Sequence, residues 1–336
     1  MRKVLLMGAA LSILAVTPVI AFARNGDDGG SHQGKHNNHS PAPITFDAFV
    51  AWASAANSGT VAGNEANMGR QTNSASLTNS YNSGAKGVSN QAQNAGANSQ
   101  LQNSLALAYV HNPEGKSYTV GLGLAVAGAG NYGGVMGNED EIGPRSSWDR
   151  DDGSVTQTAT VGNSYEGFNG VAQLNQNAGN NSLLQNSAAV AAVNPVSGTA
   201  LTLAGSLADA DNKGAVAGNY AREHSANASS TITKSFDRVN GVVNVNQNSG
   251  ANSLMQNSAA IGTVKLVAAS SDALAGAVAN ANTNGGVYCN TANLANGSAK
   301  VSMDSSFNGA QGVLQASQNT GANSLIQNSV SVAAVR

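Results

Sequence analysis

The chain has 336 residues, of which 10% are charged, 4% aromatic and 41% hydrophobic, with 39 glycines and a net charge of −2. A globular enzyme of this length normally carries about 25% charge. Disordered chains pair low hydrophobicity with high net charge, and a near-neutral chain offers no basic face to nucleic acid.

Chain order begins with a targeting segment. Arg2 and Lys3 precede an apolar run from Val4 to Phe22, and "AFA" at 21–23 fits a small-x-small cleavage site, so residues 1–23 read as a signal peptide cut after Ala23. The run is long enough for an uncleaved anchor, but the polar "RNGDDGG" that follows favours removal. Cleavage takes the net charge from −2 to −4 and sends the protein out of the cytoplasm, to the cell surface or beyond. Cys289 is the sole cysteine, so no internal disulfide forms.

Residues 24–57 read as a flexible leader with an N-terminal cap. "RNGDDGGSHQGKHNNHSPAP" has nothing to bury. "FDAFVAWASAA" at 46–56 spaces Phe46, Phe49, Val50 and Trp52 as a short amphipathic helix would, though it also reads as a strand.

Four near-copies of one sentence then follow: "QNAGANSQLQNS" at 93–104, "QNAGNNSLLQNS" at 176–187, "QNSGANSLMQNS" at 247–258 and "QNTGANSLIQNS" at 318–329. Their glycines are separated by 83, 71 and 71 residues. Repetition at a long fixed period is the signature of stacked repeat architectures. The boundaries predicted are 58–110 for a truncated first unit, 111–193 for a second with an acidic loop insertion, 194–264 for a third and 265–336 for a fourth. The insertion is "NEDEIGPRSSWDRDDGS" at 138–154. A Val/Ala/Leu run follows the motif at 118–130, 199–210 and 264–279, and each unit carries a Gly/Asn turn such as "GAVAGN" at 214–219 and a Ser/Thr strand such as "SSTITKSF" at 229–236. An Asn-Gly or related turn follows before the motif.

Within the motif, Leu184, Asn186, Ala188, Val190 and Ala192 alternate with Gln185, Ser187 and Ala189, the period-two pattern of a strand, and the other copies repeat it. Leu174 and Gln176 share a face of the segment before, as do Val245 and Gln247. Between them, Gly supplies a positive φ and Asn tolerates one, so the motif reads as strand, tight arch, strand. The fold class predicted is all-β, a repeat protein of β-solenoid or stacked β-arch architecture. Its 71-residue unit makes either three small turns or fewer, larger ones.

A side-chain amide carries both donors and an acceptor, so identical amides stacked about 4.8 Å apart satisfy one another. The candidate stacking and turn residues are Gln93, Gly96, Asn98, Gln102 and Asn103 in the first copy, and Gln176, Gly179, Asn181, Gln185 and Asn186 in the second. Gln247, Gly250, Asn252, Gln256 and Asn257 follow in the third, and Gln318, Gly321, Asn323, Gln327 and Asn328 in the fourth.

This pattern, Q-N-x-G-x-N-S-x-x-Q-N-S, resembles the repeats of secreted bacterial amyloid subunits: the curlin repeats, and the Fap-type fibril subunits whose Asn/Gln-rich repeats alternate with longer linkers. The likeness covers the four motif blocks, about a third of the chain. It implies export through an outer-membrane pore, nucleated fibre growth with itself and a related fibril subunit as partners, and a role in biofilm matrix or surface attachment.

Other constellations carry little chemistry. His32, His36 and His39 lie in the leader with nothing to hold a metal. Glu139, Asp140, Glu141, Asp149, Asp151 and Asp152 match no calcium loop and read as solvated. Cys289 has no motif base in His111 or His224, and "GLGLAVAGAGNYGG" lacks a P-loop lysine. No cofactor, metal site, catalytic group or nucleic-acid partner is expected. The expected function is an exported, self-assembling structural protein, growing from the sheet edge left by the final motif at "VSVAAVR". A monomeric β-solenoid adhesin using the 138–154 loop as its tip is the alternative. Ice binding ranks last because the threonines are irregular.

Overall fold

The computed structural model describes residues 46–69, 71–82, 84–111, 118–142, 154–196, 198–266 and 272–335. The signal segment, the leader histidines and residues 143–153 lie outside them.

Small β-branched and apolar residues alternate with amides and hydroxyls along every repeat, and among the described residues every regular element is a strand. The first repeat supplies β1 (Phe46–Ala62), β2 (Glu65–Met68), β3 (Thr72–Thr78), β4 (Lys86–Asn94) and β5 (Gln100–His111). The second supplies β6 (Tyr118–Met136), β7 (Glu139–Ile142), β8 (Val155–Gly162), β9 (Asn169–Asn177) and β10 (Leu183–Val196). In the third are β11 (Gly198–Ala217), β12 (Tyr220–His224), β13 (Ala226–Thr233), β14 (Asn240–Asn248) and β15 (Leu254–Leu266). The fourth holds β16 (Asp272–Tyr288), β17 (Thr291–Ala295), β18 (Ser298–Asp304), β19 (Gln311–Asn319) and β20 (Leu325–Val335).

Among the described residues no strand pairs with its neighbour in sequence. Each pairs in parallel with its counterpart one repeat away, giving five four-stranded sheets, β1-β6-β11-β16 among them. A repeat is therefore one layer with five strands, not three small turns. The register copies the sequence: Gln185 lies between Gln102 and Gln256, and Leu254 between Leu183 and Leu325. The segment at 46–56 is extended, paired with β6 from Phe46↔Val120 onward, so of the two readings the strand holds. Side chains on a parallel sheet repeat at every layer, so one sequence pattern suffices for all of them.

Among the described residues, two of the hydrophobic clusters are the most extensive. Between the β1-β6-β11-β16 sheet and the β5-β10-β15-β20 sheet lie small side chains, including Ala106, Ala127, Ala189, Ala191, Ala208 and Ala260. Alanine lets two sheets approach closely, and the Gln185–Ala189 face of β10 is buried here as fully as the Leu184–Ala188 face is on its other side. A second core holds Tyr165, Phe168, Leu174, Ile232, Phe236 and Val245.

The reading of 138–154 as one solvated loop is corrected at its start. Glu139–Ile142 is β7, and Asp140 is fully buried. From β7 to β12 partners stand 81 residues apart and from β8 to β13 they stand 71 apart, so the extra length of the second repeat lies between β7 and β8.

Candidate functional site

The motif folds as an arch. In the second layer β9 ends at Asn177, the chain turns through 178–182, and β10 leaves at Leu183 in a different sheet. Asn177 shapes the turn: its Oδ1 accepts from the Gly179 amide at 3.1 Å and its Nδ2 donates to the Gly179 carbonyl at 2.6 Å. Asn94, Asn248 and Asn319 make the same pair of bonds to Gly96, Gly250 and Gly321.

The division of labour inside the turn differs from the sequence reading. The left-handed residues are the asparagines, with φ of 48° at Asn98, 51° at Asn181, 53° at Asn252 and 54° at Asn323. Gly96, Gly179, Gly250 and Gly321 are not among the positive-φ residues. Glycine is there because layers approach: a Cβ on Gly179 would sit 2.0 Å from the Gly250 carbonyl oxygen, and one on Gly96 1.8 Å from that of Gly179.

Gln102, Gln185, Gln256 and Gln327 form an unbroken row. Gln185 Nε2 donates to Gln102 Oε1, Gln256 to Gln185 and Gln327 to Gln256, each at 2.7 Å. Asn186 Nδ2 donates to Asn103 Oδ1 at 3.1 Å, and Asn328 to Asn257 at 3.2 Å. Asn186 also bonds the facing strands, donating to Asn175 at 2.9 Å and accepting from Asn246 at 2.9 Å, while Asn257 donates to the Val245 carbonyl, so this row is broken between Asn186 and Asn257.

The remaining expected residues are less mutual. Gln318 donates to Gln247 at 3.0 Å, but Gln176 and Gln247 give their Nε2 to the Thr231 and Ser302 carbonyls, and Gln93 Oε1 and Gln176 Oε1 are buried without a partner. Asn252 meets Asn323 at 3.1 Å, whereas Asn98 turns to Asp140 and Asn181 to the Tyr220 carbonyl.

The sequence reading missed further rows, among them Asn57, Asn131 and Asn212, which bond at 3.1 and 2.9 Å. Asn94, Asn177, Asn248 and Asn319 bond layer to layer at 2.8, 2.9 and 2.8 Å. They were legible, since each follows the first Gln of its motif copy. Asn138, Asn219 and Asn290, the last residues of the Gly/Asn turns, bond at 3.1 and 3.0 Å. Tyr81, Tyr165, Phe236 and Phe307 stack with centroids 4.9, 4.5 and 5.0 Å apart and planes within 14°. Burial pushes the Tyr165 phenol up, against the bond its hydroxyl shares with Ser89 at 2.9 Å.

These rows have a direction. In the Gln185 and Asn177 rows the later layer donates to the earlier one, as Gln327 does to Gln256, whereas in the turn Asn252 donates to Asn323. In the Gly/Asn turns the sense is reversed, Asn138 donating to Asn219. Among the described residues nothing covers the outer side of the first or last layer, and β20 alternates between exposed and partly exposed along most of its length. A protein-family model, the functional amyloid protein FapB/FapC family, matches residues 136–335. No curated protein and no solved structure matches.

Proposed function

Given that this chain belongs to the functional amyloid protein FapB/FapC family, we propose that it is an exported structural subunit whose copies stack head to tail into extracellular fibres, serving biofilm matrix or surface attachment. One observation carries the reading. The two uncovered end layers are complementary: the last ends the glutamine row on the Gln327 Oε1 acceptor, and the first begins it on the Gln102 Nε2 donor. Likewise Phe307 ends the ring stack that Tyr81 begins.

Joining last layer to first extends the glutamine row with donor meeting acceptor, while joining two last layers sets its acceptors against each other. A contact between two different surfaces that does not close generates a filament. Uncovered parallel edges are templates for further strands, and buried amides demand partners. The joint therefore uses the stacking that already holds the layers together within one chain. Self is the principal partner, with a related fibril subunit and an outer-membrane export pore as the others the family suggests. The role is structural, with the rows taking the place of a catalytic site.

The experiment is electron microscopy with thioflavin fluorescence on the mature protein, residues 24–336. Unbranched fibres are expected at micromolar concentration. A folded monomer that never polymerises would overturn the reading and favour the adhesin.

A further inference from the structure

Two acids stand at inward positions of the short β2-β7-β12-β17 sheet where the repeat writes apolar residues. Asp140 occupies the register of Ala66, Ala221 and Ala292, and Glu223 that of Met68, Ile142 and Leu294. Each meets a motif asparagine belonging to the preceding layer. Asn98 Nδ2 donates to Asp140 Oδ1 at 2.6 Å, and Asn180 Nδ2 to Glu223 Oε1 at 2.7 Å.

Asn180 is itself a departure, standing where the other motif copies have Ala97, Ala251 and Ala322. Its Oδ1 is held by Gln157 Nε2 at 3.0 Å and by the Ala97 amide at 2.7 Å, which aims its Nδ2 at the acid. Asp140 is fully buried, and its Oδ2 has no partner.

Among the described residues the charged groups around the pair are few. Glu65, Glu139, Glu141 and Arg222 lie on the outward face of the same strands by alternation, where Arg222 pairs with Glu141 at 3.4 Å. His224 ends β12 on that outward face too. The arch packed against the inward face brings amides, Asn98 and Asn180, and among the described residues Glu223 is the charged group that acts on Asp140 from its own face.

The geometry points to a proton-operated latch between the first three layers: Asp140 and Glu223 close the stack when protonated and loosen it when ionised, so that layer formation, and with it polymerisation, is favoured in acid. An ionised carboxylate without a compensating cation is costly in such a place, whereas the neutral acid is tolerated. Burial raises the Asp140 carboxyl to about 7, with Glu223 adding to the rise and Asn98 opposing it. Glu223 is raised by burial, against its bond from Asn180.

The sign follows from linkage. A carboxyl raised on folding contributes stability fully present below its unfolded value, near 4, and lost as pH climbs to the folded value. Each such carboxyl lowers the folding equilibrium by up to about tenfold per pH unit across its own window, and its effect levels off above it.

The latch rests on the stacked reading of the repeats but is measured separately from fibre growth. Guanidinium midpoints are determined at pH 4.5 and 7.5 for the wild type, for D140A/E223L, which restores the repeat's apolar residues, and for the isosteric D140N. E139Q removes an acid from the outward face as the control. The wild type and E139Q are expected to lose midpoint at pH 7.5, while D140A/E223L keeps it and D140N loses less than the wild type. Equal losses in wild type and D140A/E223L would overturn the latch. So would a midpoint at pH 7.5 that calcium restores and a chelator removes, since a cation would then be neutralising the acids. Fibres absent at every pH would sink the proposed function and leave the midpoint comparison intact.

Discussion

Tyr165 and Phe236 stack face to face across two layers, centroids 4.5 Å apart and planes 8° from parallel, each on a backbone of left-handed φ, 62° and 61°. Non-glycine residues adopt that conformation at a cost and hold it only where surroundings over-determine it. Here the surroundings are the equivalent aromatic residue in the next layer. Tyr81 and Phe307 have φ of 57° and 64°, so one strained corner is copied through the stack.

Phe236 is fully buried in this column. Phe236→Ala is expected to lower stability by about 3–5 kcal/mol. Tyr165→Phe, which keeps the ring and loses the hydroxyl bond to Ser89, is expected to cost about 1 kcal/mol. Guanidinium unfolding followed by tyrosine fluorescence separates the two.

The glutamine row gives a second expectation. Gln185→Leu leaves Gln102 Oε1 without its donor and Gln256 Nε2 without its acceptor. A buried group stripped of its partner costs about 1–3 kcal/mol. Adding Gln256→Leu then costs less than the sum of the singles, because both changes break the same bond. A double-mutant cycle on unfolding midpoints measures the coupling.

Close approach of layers is tested by glycine pairs. Gly179→Ala places a methyl 2.0 Å from the Gly250 carbonyl oxygen. Overpacking of that kind costs about 1–3 kcal/mol, and a backbone obstacle puts it at the upper end. Gly128→Ala meets nothing within 4 Å and is expected to change the midpoint little. Equal midpoints for the two variants would show that the layers have room to spare.

Growth through the last layer is tested by charge. Gln327→Lys with Asn328→Lys places two cations where acceptors end their rows. Such chains are expected to fold, to fail to elongate beyond themselves, and at substoichiometric ratio to slow elongation of wild-type seeds from one end. Single-fibre fluorescence microscopy reads the rate at each end. Undiminished growth at both ends would remove the last layer from the joint.

Much of this architecture was legible in residue order. Alternation around Gln185 marked a strand, and the turn between Gln176 and Gln185 marked an arch, because period two and turn chemistry are local properties. The size of the layer was not legible: alternation says nothing about where an extended chain turns its corners, and the corner at Phe236 is made by residues with little intrinsic preference for positive φ. Ring stacking was hidden because the column changes from tyrosine to phenylalanine midway. Gly179 was read as a conformational glycine, since its carbonyl neighbour lies 71 residues away in Gly250 and is invisible along the chain. Asp140 looked solvated because it sits in an acidic run, and only the register with Ala66 and Ala221 turns it inward.

The central claim is that four layers from one chain are followed by the four layers of the next, end to end. Helical reconstruction of the fibres by electron cryomicroscopy tests it most directly. Layers about 4.8 Å apart give an axial rise of roughly 19 Å per subunit, with Gln102 of one copy beneath Gln327 of its neighbour's row. A rise of about 4.8 Å per subunit, each chain lying flat as one layer, would contradict it.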